Sequence, residues 1–199
     1  MFNSDYRLQH KTLFDILYFA GFLALIIVGA MVINAFVFRT FNVVGPSMEN
    51  TLHEGDRLVV NKVPATFAHL QGKAFLPDRG QVIVFQNPMF DTMRSDEFIV
   101  KRVMGLPGER VVVHDGVVMI FNKQNPKGFN PDTSLQGPKS PTDGDVDVTV
   151  PADELFVMGD NRNGNHSLDS RNGLSTIPLK DVEGTVAIRL FPFDKIRTF

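Results

Sequence analysis

From Ile16 to Ile33 the chain reads ILYFAGFLALIIVGAMVI, with no charge and no proline. Apolar residues continue to Phe38, interrupted only by Asn34, and Arg39 ends the run. A helix rises about 1.5 Å per residue, and roughly 20 apolar residues cross the hydrocarbon core of a bilayer. A helix also pairs its backbone groups within the segment, which a bilayer demands. The run is too uniformly apolar for an ordinary core helix. Val28 and Ala30 loosely fit a processing site, but the run exceeds the ~7–15-residue apolar core of a cleaved leader. The expected layout is a cytoplasmic tail over 1–11, a single transmembrane anchor over 12–38 and an extracytoplasmic domain over 39–199. Arg7 and Lys11 precede the apolar run, whereas Arg39 and Arg57 follow it. That balance leans towards an N-terminus inside the cell, with the domain on the outer face of the cell membrane.

Beyond Arg39 the texture changes. Short β-branched runs alternate with turn signals: RLVVNKV, QVIVF, EFIVKRV, ERVVV, GVVMIF, DVTV, ELFVM and TVAIRLF. This spacing predicts a mainly β domain, a barrel or sandwich, with no amphipathic helix after Arg39. Asp115-Gly116 separates RVVVH from VVMIF, a two-residue hairpin signal, because a type I′ turn needs positive φ at both central positions. Pro126, Pro131, Pro138 and Pro141 crowd the stretch 122–145, which reads as a long irregular excursion. Phe85, Met89, Phe90 and Met93 fit either a patch touching lipid or the core.

Composition removes several chemistries. The chain has no Cys, so disulfide scaffolds, thiolate metal sites and cysteine nucleophiles are excluded. Lys and Arg number 20 against 22 Asp and Glu, a net charge of −2, which gives no global reason to bind nucleic acid. The five histidines show no HExxH or similar metal-binding spacing.

Three segments carry polar residues suited to catalysis. In FNVVGPSMENTLHEGDRL, Pro46 stiffens a turn that presents Ser47. A stiff turn can hold a hydroxyl nucleophile beside backbone N–H groups that stabilise an oxyanion. In DEFIVKRV, strand alternation puts Lys101 on one face with Ile99 and Val103, and Arg102 on the other with Phe98 and Val100. A lysine among branched apolar neighbours loses solvation, which favours its neutral, basic form. In GDNRNGNHSLDSR, Asp160, Asn161, Arg162, Ser167, Asp169 and Arg171 crowd one loop after an apolar strand. An Asp–Arg pair locks such a loop by two hydrogen bonds. Each segment alone also fits a plain role: a common Pro-Ser turn, an edge-strand lysine, a hydrogen-bonded surface turn.

In order along the chain, GPSMENTL, GDRLVVNKV, KRVMGLPGERV and GDNR…SLDSR resemble the type I signal peptidases, membrane-bound serine peptidases that remove signal peptides from exported proteins. The resemblance implies a β catalytic core with an extended β excursion, no metal and no cofactor. Its implied partners are signal-peptide-bearing precursors and membrane lipid. Ser47 matches the nucleophile and Lys101 the general base, with the Ser47 backbone N–H in the oxyanion hole. Ser167 matches a serine bonded to the lysine amine, and Gly159 a small residue beside that lysine. Asp169 and Arg171 match a loop-holding pair, while Asp160, Asn161 and Arg162 open the same motif. The substrate is implied to lie as a strand along Phe41 to Gly45, including Val43 and Val44, and along Phe98, Ile99 and Val100. Small side chains are implied at the first and third positions before the cut.

Two departures stand out. Some members carry a Ser or Thr hydroxyl two residues before the nucleophile, as a second oxyanion donor; here that position is Gly45. NGNH also stands between Arg162 and Ser167, about two residues longer than is usual. Other classes fit less well. A Ser-His-Asp hydrolase using His166 with Asp160 or Asp169 lacks a GxSxG elbow. The self-cleaving SOS repressors share a Ser-Lys pair but are soluble and bind DNA. An anchored peptide-binding domain needs neither Ser47 nor Lys101. Asn165-His166-Ser167 spells a glycosylation sequon, which a chance match explains.

Overall fold

The computed structural model describes residues 11–90, 97–133, 141–164 and 166–199. Helix α1 (Lys11–Phe36) carries the apolar run. Its 24 residues Leu13–Phe36 are long and apolar enough to cross a membrane, and the most apolar window has no buried residue. The helix ends two residues before the expected boundary at Phe38. Val37 is the only link before strand β1 (Phe38–Asn42), so Phe38 is strand.

The remaining strands are β2 (Arg57–Asn61), β3 (Val82–Gln86), β4 (Phe98–Gly105), β5 (Arg110–His114) and β6 (Val117–Phe121), then β7 (Val146–Thr149), β8 (Glu154–Met158), β9 (Ile177–Pro178), β10 (Val182–Phe191) and β11 (Arg197–Thr198). All eight expected β runs are strands. One short helix, α2 (Val63–Leu70), stands after Arg39, where no amphipathic helix was expected. Pro64 tolerates the first turn because its missing N–H would have no helical partner there.

The larger sheet runs β1-β2-β10-β3-β4-β8-β9, with β11 on β10. A smaller sheet runs β6-β5-β7. Both hairpin residues take positive φ, Asp115 at 47° and Gly116 at 78°, as the two-residue turn requires. The large sheet is covered on both faces. On β3, Ile83 and Phe85 enter one core with Val103, Val157 and Ile177. Val82 and Val84 enter another with Met48, Leu58 and Val60. Phe85 is therefore core, and Met89 packs partly against it, whereas Phe90 is exposed. Met93 lies outside the described residues.

The sheet curls. β1 and β4 are four steps apart in strand order, yet the Phe41 and Phe98 rings meet at 5.2 Å. The Arg39 guanidinium lies over both rings, at 4.9 and 4.5 Å. The curl leaves two free edges facing one gap. Among the described residues β1 pairs only with β2, and β8 takes up β4 only from Arg102 onward. The described part of 122–145 is irregular, as expected, but it is tied into the fold. Pro131 and Thr142 are buried, and Phe129 packs on the core of the smaller sheet.

Candidate active site

The gap between β1 and β4 is a cleft of about 370 Å³. Phe41, Val43, Val44 and Ser47 line one side, and Phe98, Ile99, Val100 and Lys101 the other. Leu58 and Val84 also line it, and Glu97 and Leu168 join the rim. Gly45 does not line it; its φ of +79° makes the turn into Pro46.

The Ser47 loop is held from several sides. Met48 and Leu52 are fully buried in the core and plug the loop into the sheet. Asn161 Nδ2 donates to Pro46 O at 3.1 Å, and Asn161 N donates to Ser47 O at 3.0 Å. Arg189 Nη1 on β10 donates to Thr51 O and Asp56 Oδ2. Among the described residues no acceptor takes the Ser47 N–H.

Lys101 is 3% exposed. It stands on β4 opposite Ile83, with Ile99 and Val103 on its face contributing to one core, as strand alternation requires. Its Nζ donates to Ser47 Oγ at 2.7 Å and to Val100 O at 2.9 Å. Burial pulls the amine down from 10.5 to about 8, although the nearby Asp169 and Asp160 carboxylates push the other way. An amine that is half neutral near pH 8 can accept a proton from the hydroxyl beside it.

Around this pair lie two buried carboxylate–guanidinium locks. Arg171 Nε and Nη2 donate to Asp169 Oδ1 and Oδ2 at 3.0 and 2.9 Å. Asp169 also accepts from Gly159 N and from Ser167 Oγ. Burial pushes the Asp169 carboxyl up, but the bonds and charge of Arg171, with the other two donors, outweigh it and hold the group below its usual range. In the second lock Arg102 Nε and Nη2 donate to Asp160 Oδ1 and Oδ2 at 2.7 and 2.5 Å. Thr51 Oγ1 donates to the same carboxylate and so ties the Ser47 loop to it.

The sequence model of a family described as signal peptidase, peptidase S26, matches residues 16–191. The chain belongs to this family of signal peptidases. It is 35% identical to a signal peptidase I of Bacillus amyloliquefaciens over 174 residues, 86% of this chain and 85% of that one. It is also 35% identical to signal peptidase I P of Bacillus subtilis subsp. natto over 182 residues, 88% of each chain. A crystal structure of a signal peptidase I from Enterococcus faecalis V583 is 28% identical, with a TM-score of 0.40, covering 55% of this chain and 95% of that one. As a signal peptidase, the chain is a serine endopeptidase.

The structure brings Ser47, Lys101, Gly159, Asp160, Asn161, Asp169 and Arg171 together around the cleft. Arg162 does not reach the pair directly. Its guanidinium is fully buried and bonds both oxygens of Asp132, Thr142 Oγ1 and Gly159 O. It ties the excursion to the end of β8. Ser167 differs from its implied role. The hydroxyl donates to Asp169 Oδ2 at 2.7 Å, while the Lys101 amine bonds Ser47 and Val100. His166 is exposed and bonds neither Ser47 nor the two carboxylates, which disfavours a Ser-His-Asp arrangement. Asn165 of the sequon lies outside the described residues. Sequence reasoning missed Thr51, Asp132, Thr142 and Arg189 entirely, and gave Arg102 a face but no partner.

Proposed function

We propose that this enzyme is anchored by α1 in the cell membrane, with its N-terminus inside. From the outer face it cleaves signal peptides off exported precursors through a Ser47–Lys101 dyad. The observation that carries this reading is the 2.7 Å contact between Lys101 Nζ and Ser47 Oγ, with the amine buried. With Lys101 neutral, the same contact lets the Ser47 O–H donate to the amine lone pair.

The precursor segment enters as an added strand between the free edges of β1 and β4. Ser47 Oγ attacks the carbonyl carbon at the signal-peptide boundary while Lys101 takes its proton. The Ser47 N–H, for which the described residues offer no acceptor, donates to the oxyanion. Collapse breaks the peptide C–N bond, and the Lys101 ammonium returns the proton to the leaving amine. Lys101 then takes a proton from water, whose oxygen attacks the acyl carbon; collapse breaks the Ser47 Oγ–acyl bond, the Lys101 ammonium returns that proton to Ser47 Oγ, and the signal peptide leaves as a carboxylate. Branched side chains at Val43, Val44 and Ile99 keep the pockets shallow, which suits small residues before the cut.

The test is cleavage of an exported precursor by full-length protein in detergent. Wild type is expected to cut at the boundary, and folded Ser47→Ala and Lys101→Met to fall to background. Cleavage by Lys101→Met would discard the dyad. No cleavage by wild type would favour an anchored binding domain.

A further inference from the structure

Side chains tie the two walls of the cleft at both ends. At one end Lys101 Nζ meets Ser47 Oγ at 2.7 Å. At the other the Phe41 and Phe98 rings meet at 5.2 Å. Among the described residues no backbone pairing joins the two walls: β1 pairs with β2, and Phe98 with Gln86 of β3. The spacing of the walls nevertheless decides what the cleft can hold. Two strands that take a third between them stand two strand spacings apart, about 9.6 Å. A shift of about 1 Å carries one row of N–H···O bonds out of range.

Arg39 holds the aromatic tie together. It shares one face of β1 with Phe41, two residues on. Its guanidinium carbon lies 4.9 Å from the Phe41 centroid and 4.5 Å from the Phe98 centroid, so one planar cation covers a ring from each wall. Nη1 donates to Glu183 Oε1 at 3.2 Å, and the same oxygen takes Lys62 Nζ at 2.7 Å. Glu183 belongs to β10, which lies midway between β1 and β4 in the strand order. The middle of the sheet therefore braces the clamp. Phe41, Phe98 and Val100 pack on the core of Val43, Leu58 and Val84, and all six line the cleft, so the rings are part of its floor. Phe98 stands three residues before Lys101, about 10 Å at the rise of a strand. A lysine at 39 would serve Glu183 equally well, but only a planar cation spans two rings.

We infer that Arg39 is a positioning residue that sets the spacing of the two cleft walls and the depth of the floor about 10 Å before the cut. It holds Phe41 of one wall against Phe98 of the other, so the precursor strand meets two hydrogen-bonding edges at a fixed separation. Without the guanidinium the rings can part, and the walls are tied only at the dyad. Arg39 bonds neither Ser47 nor Lys101, so it acts on capture and side-chain choice rather than on bond breaking. This inference rests on the proposed cleavage by the Ser47–Lys101 dyad.

The test compares full-length wild type, Arg39→Ala, Arg39→Lys and Phe98→Leu in detergent. The substrate is an exported precursor with Ala or Leu three residues before the cut. Arg39→Ala should raise KM for the Ala precursor about fivefold, with kcat within about twofold of wild type. Its kcat/KM preference for Ala over Leu should shrink at least about threefold, because freed rings make room. Arg39→Lys keeps a charge for Glu183 without the plane across both rings, and should resemble Arg39→Ala. Phe98→Leu should resemble it too. The double variant Arg39→Ala with Phe98→Leu should be no worse than the worse single one, since the same clamp is lost only once. Wild-type KM and preference in folded Arg39→Ala would overturn the inference. So would wild-type KM in Arg39→Lys, which would give the role to charge. Effects that multiply in the double variant would also overturn it, because the two residues would then act separately. A parallel fall of kcat and of the urea midpoint in Arg39→Ala would reduce Arg39 to a merely structural part. Failure of the clamp alone leaves wild-type cleavage intact, whereas wild type that cuts no precursor sinks the dyad reading and this inference with it.

Discussion

Replacing Gly159 with alanine probes the site through one methyl group. A Cβ there would lie 2.3 Å from Ser47 O, 2.2 Å from Ser167 Oγ and 2.7 Å from Ser167 Cβ, where ordinary contact begins at 3.4 Å. The Ser167 hydroxyl can rotate, but the Ser47 carbonyl is backbone. It is held at 3.0 Å by Asn161 N, and the neighbouring Met48 is locked in the core. Gly159 cannot retreat easily either, because its N–H is fixed to Asp169 and its carbonyl to Arg162. The nucleophile's own peptide must therefore move by about 1 Å, and a displacement of that size in a reacting group costs on the order of 100-fold in rate. Overpacking of this kind costs about 1–3 kcal/mol of stability, too little to unfold a typical domain. The assay is precursor cleavage at varied substrate concentration, beside urea unfolding. Gly159→Ala should lower kcat about 100-fold with KM little changed, since the cleft walls at Phe41 and Phe98 are untouched. Gly164→Ala, where φ is +51° but a Cβ meets nothing nearer than His166 at 4.0 Å, should lose some stability to backbone strain yet keep its activity. Activity of Gly159→Ala within threefold of wild type would refute the close-approach reasoning.

Three further outcomes follow from the same geometry. With Lys101 near 8, the neutral amine rises about tenfold in population from pH 7 to pH 9, so kcat/KM should climb with an apparent pKa near 8. A profile already level below pH 6 would exclude this amine as the base. Asp132→Ala leaves the buried Arg162 guanidinium without its carboxylate and should cost about 3–5 kcal/mol, read by urea unfolding. A loss under about 1 kcal/mol would mean Thr142 and Gly159 O suffice. A precursor with Phe immediately before the cut should be processed at least about tenfold more slowly than one with Ala, and equal rates would contradict shallow pockets beside Ile99.

What could be read in the sequence was what local pattern encodes. Alternation in FIVKRV put Lys101 between Ile99 and Val103, and that placement alone explains its burial. Asp115-Gly116 encoded its hairpin because only two residues had to satisfy the turn. The motif order brought Ser47, Lys101 and Asp169 together through the resemblance, not through spacing. What stayed hidden depended on partners far along the chain. Arg102 and Asp160 are 58 residues apart, and Thr51 and Asp160 are 109 apart, so no periodicity links them. Arg162 reaches Asp132 across a stretch that reads only as proline-rich loop. QVIVF could not declare Phe85 as core, since a strand buried on both faces loses its alternation. VPATFAHL hid its helix for the opposite reason: its apolar stripe faces outward, so no polar–apolar contrast marks a core-facing side.

The buried lysine also has a stability consequence whose sign is fixed. Its folded pKa, about 8, lies below the unfolded value of 10.5, so between these values the unfolded chain binds more protons than the native one. Stability therefore rises with pH through this window, and only well below pH 8 does the fold carry the full penalty of desolvating the charged amine. Lys101→Met removes that penalty along with the hydrogen bonds to Ser47 and Val100, each worth about 1 kcal/mol. The absolute change at one pH mixes these effects, but the change with pH does not, because Met does not titrate. From pH 7 to pH 9 the native amine loses most of its proton while the unfolded one keeps it. Wild type should gain about 1.4 kcal/mol on Lys101→Met over that interval. Paired urea unfolding of the two proteins at pH 7, 8 and 9 reads this directly. A difference that is flat across the series would place the folded pKa outside the window, and with it the claim that a neutral Lys101 is at hand for Ser47 at working pH. A difference of the expected slope would tie the same proton equilibrium to both stability and catalysis, since the acid limb of kcat/KM should share its midpoint.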